Sequence, residues 1–155
     1  MEKRTQYCGL ITEDYVGKEI VVKGWVNRRR DLGGLIFLHL RDREGILQVV
    51  FNQANDAELF ALAESIRHEY VLEVKGTVVK REEDQVNPNI KTGTVELEVS
   101  SATILAKSKT PPIEVDGEQN VSDELRMKYR FIDLRKEKMF QNLKLRHETT
   151  KSIRH

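Results

Sequence analysis

The chain has 155 residues, of which 39% are hydrophobic and 33% charged, with a formal net charge of +1. That is enough apolar material for one compact domain with an appendage, while near-neutrality excludes a uniformly basic nucleic-acid binder and makes any electrostatic footprint local. The single cysteine, Cys8, excludes an internal disulfide and a Cys-pair zinc site; an idle reduced thiol, an amino terminus without a signal-peptide core and the absence of any membrane-length apolar run predict a soluble, cytoplasmic protein with no membrane partner.

Strand patterns dominate up to about residue 105. Residues 19–30 alternate around Trp25 and end in Arg28, Arg29 and Arg30. In residues 35–41, Ile36, Leu38 and Leu40 share one side, and Leu35, Phe37, His39 and Arg41 share the other. Phe37 is therefore predicted to face outward. A turn at residues 42–45 leads into residues 46–52, where Leu47, Val49 and Phe51 point inward and Gln48 joins the outer face. The hairpin register puts Gln48 directly across from Phe37 or on its diagonal, within about 8 Å.

Leu59, Leu62, Ala63 and Ile66 then recur at helical spacing within residues 56–67, with Asn55 or Asp56 available as N-cap. A fourth strand, residues 69–79, carries Tyr70, Leu72, Val74 and Gly76. A long polar loop, residues 80–93, contains the turn-forming Asn87, Pro88 and Asn89. A fifth strand, residues 94–105, turns Val95, Leu97 and Val99 inward, and Thr94, Glu96 and Glu98 outward. Five strands with one helix between the third and fourth predict a mainly β chain folded as an OB-fold, a Greek-key barrel that binds ligands on the face of strands two and three.

After residue 105 the character changes. Thr110, Pro111 and Pro112 stiffen a polar hinge over residues 106–121. Ser122 or Asp123 can cap a helix through Leu125 and Tyr129, and a second helix spans residues 137–155, with Met139, Leu143, Thr150 and Ile153 on one side. That stripe has no partner in the sequence, which suggests a chain cut before the domain that the helix belongs to.

The outward set defines the candidate site. An aromatic ring offers a stacking platform to an unpaired base, an amide pairs with base edges, and arginines hold phosphates or bases. Phe37 with Gln48 and the run Arg28, Arg29 and Arg30 therefore predicts a site for single-stranded nucleic acid. Singly, Phe37 is an ordinary exposed apolar residue, and Glu96, judged by spacing alone, is a solvated strand glutamate. The sequence carries no catalytic motif: His39, His68, His147 and His155 lack zinc spacing, and there is neither a Gly-rich phosphate loop nor a nucleophile elbow. His39 reads as a surface histidine, and Asp133 with Arg135 as a helix-end ion pair.

Four segments in order carry a family resemblance: Tyr7, Cys8 and Gly9; GWVNRRRDLGGLIFLHLRDREGILQVVF at residues 24–51; VNPNIKTG at residues 86–93; and YRFIDLR at residues 129–135. Together they resemble the amino-terminal portion of bacterial-type aspartyl-tRNA synthetases over essentially the whole chain. The related lysyl and asparaginyl families share an OB-fold in this place, and a free-standing OB module for single strands is a further alternative. The resemblance implies an anticodon-binding domain over residues 1–105, a hinge over 106–121, and the truncated start of a class II catalytic domain over 122–155.

It further implies a GUC anticodon as ligand, with Phe37 stacked on the middle uracil. Arg30 and Gln48 would hydrogen-bond the second and third bases, and Glu96 would read the first guanine. Arg28, Arg29, Gln85 and Asn87 are implied as backbone or loop contacts. The whole enzyme of this family uses ATP and magnesium and forms a homodimer. This chain lacks the second and third class II motifs, so no cofactor and no aminoacylation by itself are expected.

Overall fold

The computed structural model describes residues 1–117 and 120–154, and they divide into two compact units, Met1–Thr110 and Pro111–His155. In the first unit five strands run β1 (Glu19–Asp31), β2 (Leu35–Asp42), β3 (Gly45–Asn52), β4 (Val71–Lys80) and β5 (Val95–Ala106), with helix α1 (Ala57–Ser65) between β3 and β4. The sheet closes as a barrel in the order β1-β2-β3-β5-β4, with β1 returning to pair with β4. Every neighbouring pair is antiparallel except β3 and β5. This is the OB-fold that the order of elements predicts.

Alternation does most of the folding. Ile36, Leu38 and Leu40 of β2 and Leu47, Val49 and Phe51 of β3 are all fully buried, as are Leu72, Val74 and Val78 of β4. Helix α1 starts where its cap dictates, because the Asp56 carboxylate accepts from the Leu59 amide at 2.9 Å. The helix buries Phe60 and Ala63, and Ile66 just beyond it, with Leu59 packed alongside, so the stripe includes Phe60 in place of Leu62. Cys8, within a 3-10 turn ahead of β1, is fully buried; burial first, then the Asp42 carboxylate, pushes its thiol well above the usual range.

β4 begins two residues later than the hydrophobic pattern suggests. Glu69 adopts φ +62°, a left-handed conformation that no strand accepts. The Arg41 guanidinium holds it there with two hydrogen bonds of 2.9 Å to the carboxylate. The same guanidinium donates to Asn27 Oδ1 at 2.5 Å, beside the irregularity in β1 between Val26 and Arg28.

The second unit contains α2 (Asp123–Lys128), α3 (Arg130–Asp133) and α4 (Glu137–Arg154), and its apolar cluster centres on Ile113, Val115 and Ile132. Ser122 caps α2, accepting from the Leu125 amide. Asp133 is buried and ion-paired with Arg126 at 3.2 Å and Lys136 at 3.7 Å, which makes it an anchor of this unit. Along α4, Leu143, Leu145 and Ile153 are exposed; the expected helix end at residue 155, like residues 118 and 119 of the expected hinge, lies outside the described residues. Among the described residues no helix is long and apolar enough to cross a membrane.

Candidate nucleic-acid interface

The barrel register arranges the outward side chains into two rows. Residues paired across neighbouring strands project from the same side of the sheet. One row runs Arg30, Phe37, Val50, Glu98 and Thr77; the other runs Arg28, His39, Gln48, Glu96 and Val79. Rows two residues apart along a strand are separated by about 6.5–7 Å, roughly the footprint of one base. The face is thus an aromatic step with an arginine on one flank, next to a line of hydrogen-bonding groups.

Phe37 is half-buried and faces outward as alternation requires. Gln48 lies directly across from His39, which puts it on the diagonal from Phe37. Its amide is not loose: Nε2 donates to Glu96 Oε2 at 2.8 Å, and the residue is only 5% exposed. The amide therefore acts as a strut that orients the carboxylate through its Oε2. A pairing between residues 48 positions apart in the chain brings together the two polar groups of the resemblance.

The three arginines do not act as one group. Arg28 and Arg30 share the face with His39 and Phe37, whereas Arg29 pairs in register with Leu38, the inward row, and its guanidinium meets Asp31 at 3.0 Å. Period-two alternation forbids three consecutive strand residues from pointing the same way. Gln85 is exposed at the end of a 3-10 turn (Glu83–Gln85) in the loop between β4 and β5. Asn87 is turned to shaping that loop: its Oδ1 accepts from the Asn89 amide at 3.0 Å and its own amide donates to the Gly93 carbonyl at 3.1 Å. Gly93 is required there, since a Cβ would lie 1.7 Å from the Asn87 carbonyl oxygen. Thr92 ties the end of the loop to β3 through the Ile46 carbonyl at 2.5 Å.

Two side chains matter more than the sequence suggests. His39 is 7% exposed rather than a surface histidine, enclosed by its neighbours in the row, and its Nε2 is buried without a partner. Burial lowers its pKa from the ordinary value, a hydrogen bond with Gln48 opposes that, and the charges of Arg30, Arg81 and Arg28 lower it further. The ring is therefore neutral at neutral pH. Arg81, which the sequence reading passed over, lies just past β4 and is 6% exposed. Its Nε donates to the Val95 carbonyl at 3.1 Å and lies 3.7 Å from Glu96 Oε2. The available signal was positional: Arg81 continues the outward i, i+2 series from Val79, which pairs with Glu96.

Comparisons with known proteins identify the family of the barrel. The model of the tRNA anti-codon family, an OB-fold nucleic acid binding domain, matches residues 20–105. An aspartate--tRNA ligase of Staphylococcus aureus (strain Newman) is 56% identical over 155 residues, which is 99% of this chain and 26% of that protein. The chain thus spans about a quarter of the length of the curated relatives it matches. Among solved structures, asparaginyl-tRNA synthetase from Pyrococcus horikoshii superposes with a TM-score of 0.71 at 28% identity, over 87% of this chain and 30% of that one. An OBody bound to hen egg-white lysozyme superposes with a TM-score of 0.62 at 30% identity, over 70% of this chain and 98% of that one. With the family model covering most of the barrel that carries the outward Phe37 ring and its polar row, the chain belongs to the tRNA anti-codon family of OB-fold nucleic acid binding domains.

Proposed function

We propose that residues 1–105 read the unpaired GUC anticodon of the aspartate tRNA, as the recognition domain of an aspartate–tRNA ligase that works as a cytoplasmic homodimer. The observation that carries this reading is the outward Phe37 ring, flanked by Arg30 in its own row and by the Gln48-supported Glu96 carboxylate in the next. Phe37 stacks on the middle base. Glu96 accepts from the N1 and N2 hydrogens of the first guanine, with Gln48 bracing it. Arg30 and Arg28 engage the second and third nucleotides and their phosphates, and Gln85, Asn87 and Arg29 make peripheral contacts. Arginine contacts supply salt-dependent affinity, while stacking and base-edge bonds supply sequence choice.

In this reading residues 106–121 lead from the barrel into the second unit, whose apolar cluster takes Ile113 and Val115 from them, and residues 122–155 open the catalytic domain of the longer enzyme. ATP and magnesium serve that enzyme's activation of aspartate. Among the described residues no group of three or more His, Cys, Asp or Glu side chains could hold a metal ion, and no step through ATP or magnesium is assigned to them. This chain alone is expected to bind RNA and to form no adenylate. The test is a binding series with anticodon stem-loops carrying GUC, GUU and UUU: GUC should bind tightest. A preference for GUU or UUU would transfer the chain to an asparaginyl or lysyl relative, and equal binding of all three would defeat anticodon reading.

A further inference from the structure

His39 sits in the middle of the polar row with no task in anticodon reading. On the β1 side Arg28 pairs with it in register and Arg30 lies on the diagonal; on the β3 side stands Gln48, with Glu96 of β5 beyond it and Arg81 just past β4. Arg41, the next residue of β2 on this side, is spent on Glu69. Gln48 Nε2 donates to Glu96, and the hydrogen bond between Gln48 and His39 favours the protonated ring, so the amide meets the ring with its carbonyl oxygen, an acceptor. The ring nitrogen Nε2 is buried without a partner. The ring thus has an unused position for a proton, kept empty by burial and by the charges of Arg30, Arg81 and Arg28.

We propose that His39 takes up a proton from solvent as RNA binds to this face, so that the ring enters the complex as an imidazolium and adds a positive charge against the phosphates. Two effects compete. RNA covers the site and removes the remaining water, which favours the neutral ring; its phosphates engage Arg28 and Arg30 and set negative charge beside the ring, which favours the cation. The first effect is small, because the ring is already only 7% exposed. The second is larger, because the arginine charges that hold the proton off are the ones an RNA backbone neutralises. A phosphate one row away, about 7 Å, is worth roughly threefold in binding constant even at the dielectric constant of water, and more in a partly enclosed site. Once protonated, Nε2 is a charged donor that a phosphate oxygen can satisfy. Acid therefore tightens RNA binding while it weakens the free fold. The proposal rests on RNA binding to this face, and not on which anticodon is bound.

The experiment titrates the ring of His39 by NMR in the whole chain, free and saturated with an anticodon stem-loop, from about pH 8 to about pH 5, with the histidine rings assigned through their own backbones. The His39 titration should move upward when RNA binds. Fluorescence anisotropy at constant ionic strength should show affinity rising by roughly threefold or more as the pH falls from about 6.5 through the titration of the free ring. His39→Asn should lose that rise, and His39→Gln replaces it if circular dichroism shows the first variant unfolded; the NMR shift needs neither. A His39 titration that stays in place or moves down overturns the proposal, and so does the same rise in affinity in the substituted chain. Because phosphates are common to every sequence, loops carrying GUC, GUU and UUU should all shift the ring. An upward shift with equal affinity for the three loops sustains the proposal and defeats anticodon reading; a GUC preference with an unmoved ring does the reverse.

Discussion

Replacing Phe37 by alanine tests the stacking platform without touching the core. The ring is half-buried on the outer face, and its register partners are Arg30 and Val50, not the buried set of Ile36, Leu38 and Leu40. Base–aromatic stacking is worth about 1–3 kcal/mol, so Phe37→Ala should weaken binding of a GUC stem-loop by roughly 5- to 150-fold. Stability should fall by less than the roughly 3–5 kcal/mol typical of truncating a core phenylalanine. Fluorescence anisotropy with a labelled stem-loop measures the first quantity and urea denaturation the second. The salt dependence of binding should be unchanged, because a ring contact releases no counterions. Removing the middle base from the RNA should make the substitution nearly silent, since ring and base would then have been lost together. If Phe37→Ala leaves affinity within about twofold while the protein stays folded, or costs the same with and without the middle base, the ring is not the platform.

Arg28→Gln should weaken RNA binding to a similar degree across sequences and reduce the slope of log affinity against log salt by about 0.7, the contribution of one neutralised phosphate on a single strand; an unchanged slope would remove Arg28 from the backbone contacts. Glu69→Gln should cost about 1–3 kcal/mol in urea denaturation, because it strips charge from the paired hydrogen bonds that Arg41 makes to a left-handed residue; no loss would mean that the turn holds without the pair. The depressed pKa of His39 means that the unfolded chain binds more protons below about pH 6.5, so stability should fall as pH drops from there toward the folded-state pKa. His39→Asn should flatten that part of the urea midpoint-versus-pH curve, and an unaltered curve would assign the acid sensitivity to other groups.

Much of the fold was legible because it rests on local periodicity. Ile36, Leu38 and Leu40 alternate with Phe37 and His39 whatever the rest of the chain does, and that period of two decides which side chains meet the core. The Asp56 cap is equally local: its side chain bonds an amide three residues away. The family relation was legible for a similar reason, since the four segments that carry it can be compared residue by residue without knowing where any side chain points.

The tertiary structure alone decided what the outward residues touch. Closure of the barrel through the short parallel pairing of β3 with β5 brings Gln48 to Glu96, and β4 on the other side of β5 delivers Arg81 to the same carboxylate. No local pattern encodes a contact between strands so far apart in the chain. Burial works the same way, because His39 and Arg81 are polar residues at outward positions and become enclosed only when neighbours from four strands converge on them. A left-handed Glu69 shortened β4, through a pairing with Arg41 that period alone does not specify. The sequence by itself determined which residues could face a ligand; the closed barrel decided which of them are braced, paired or left with an open hydrogen bond, because those properties belong to groups brought together from distant strands.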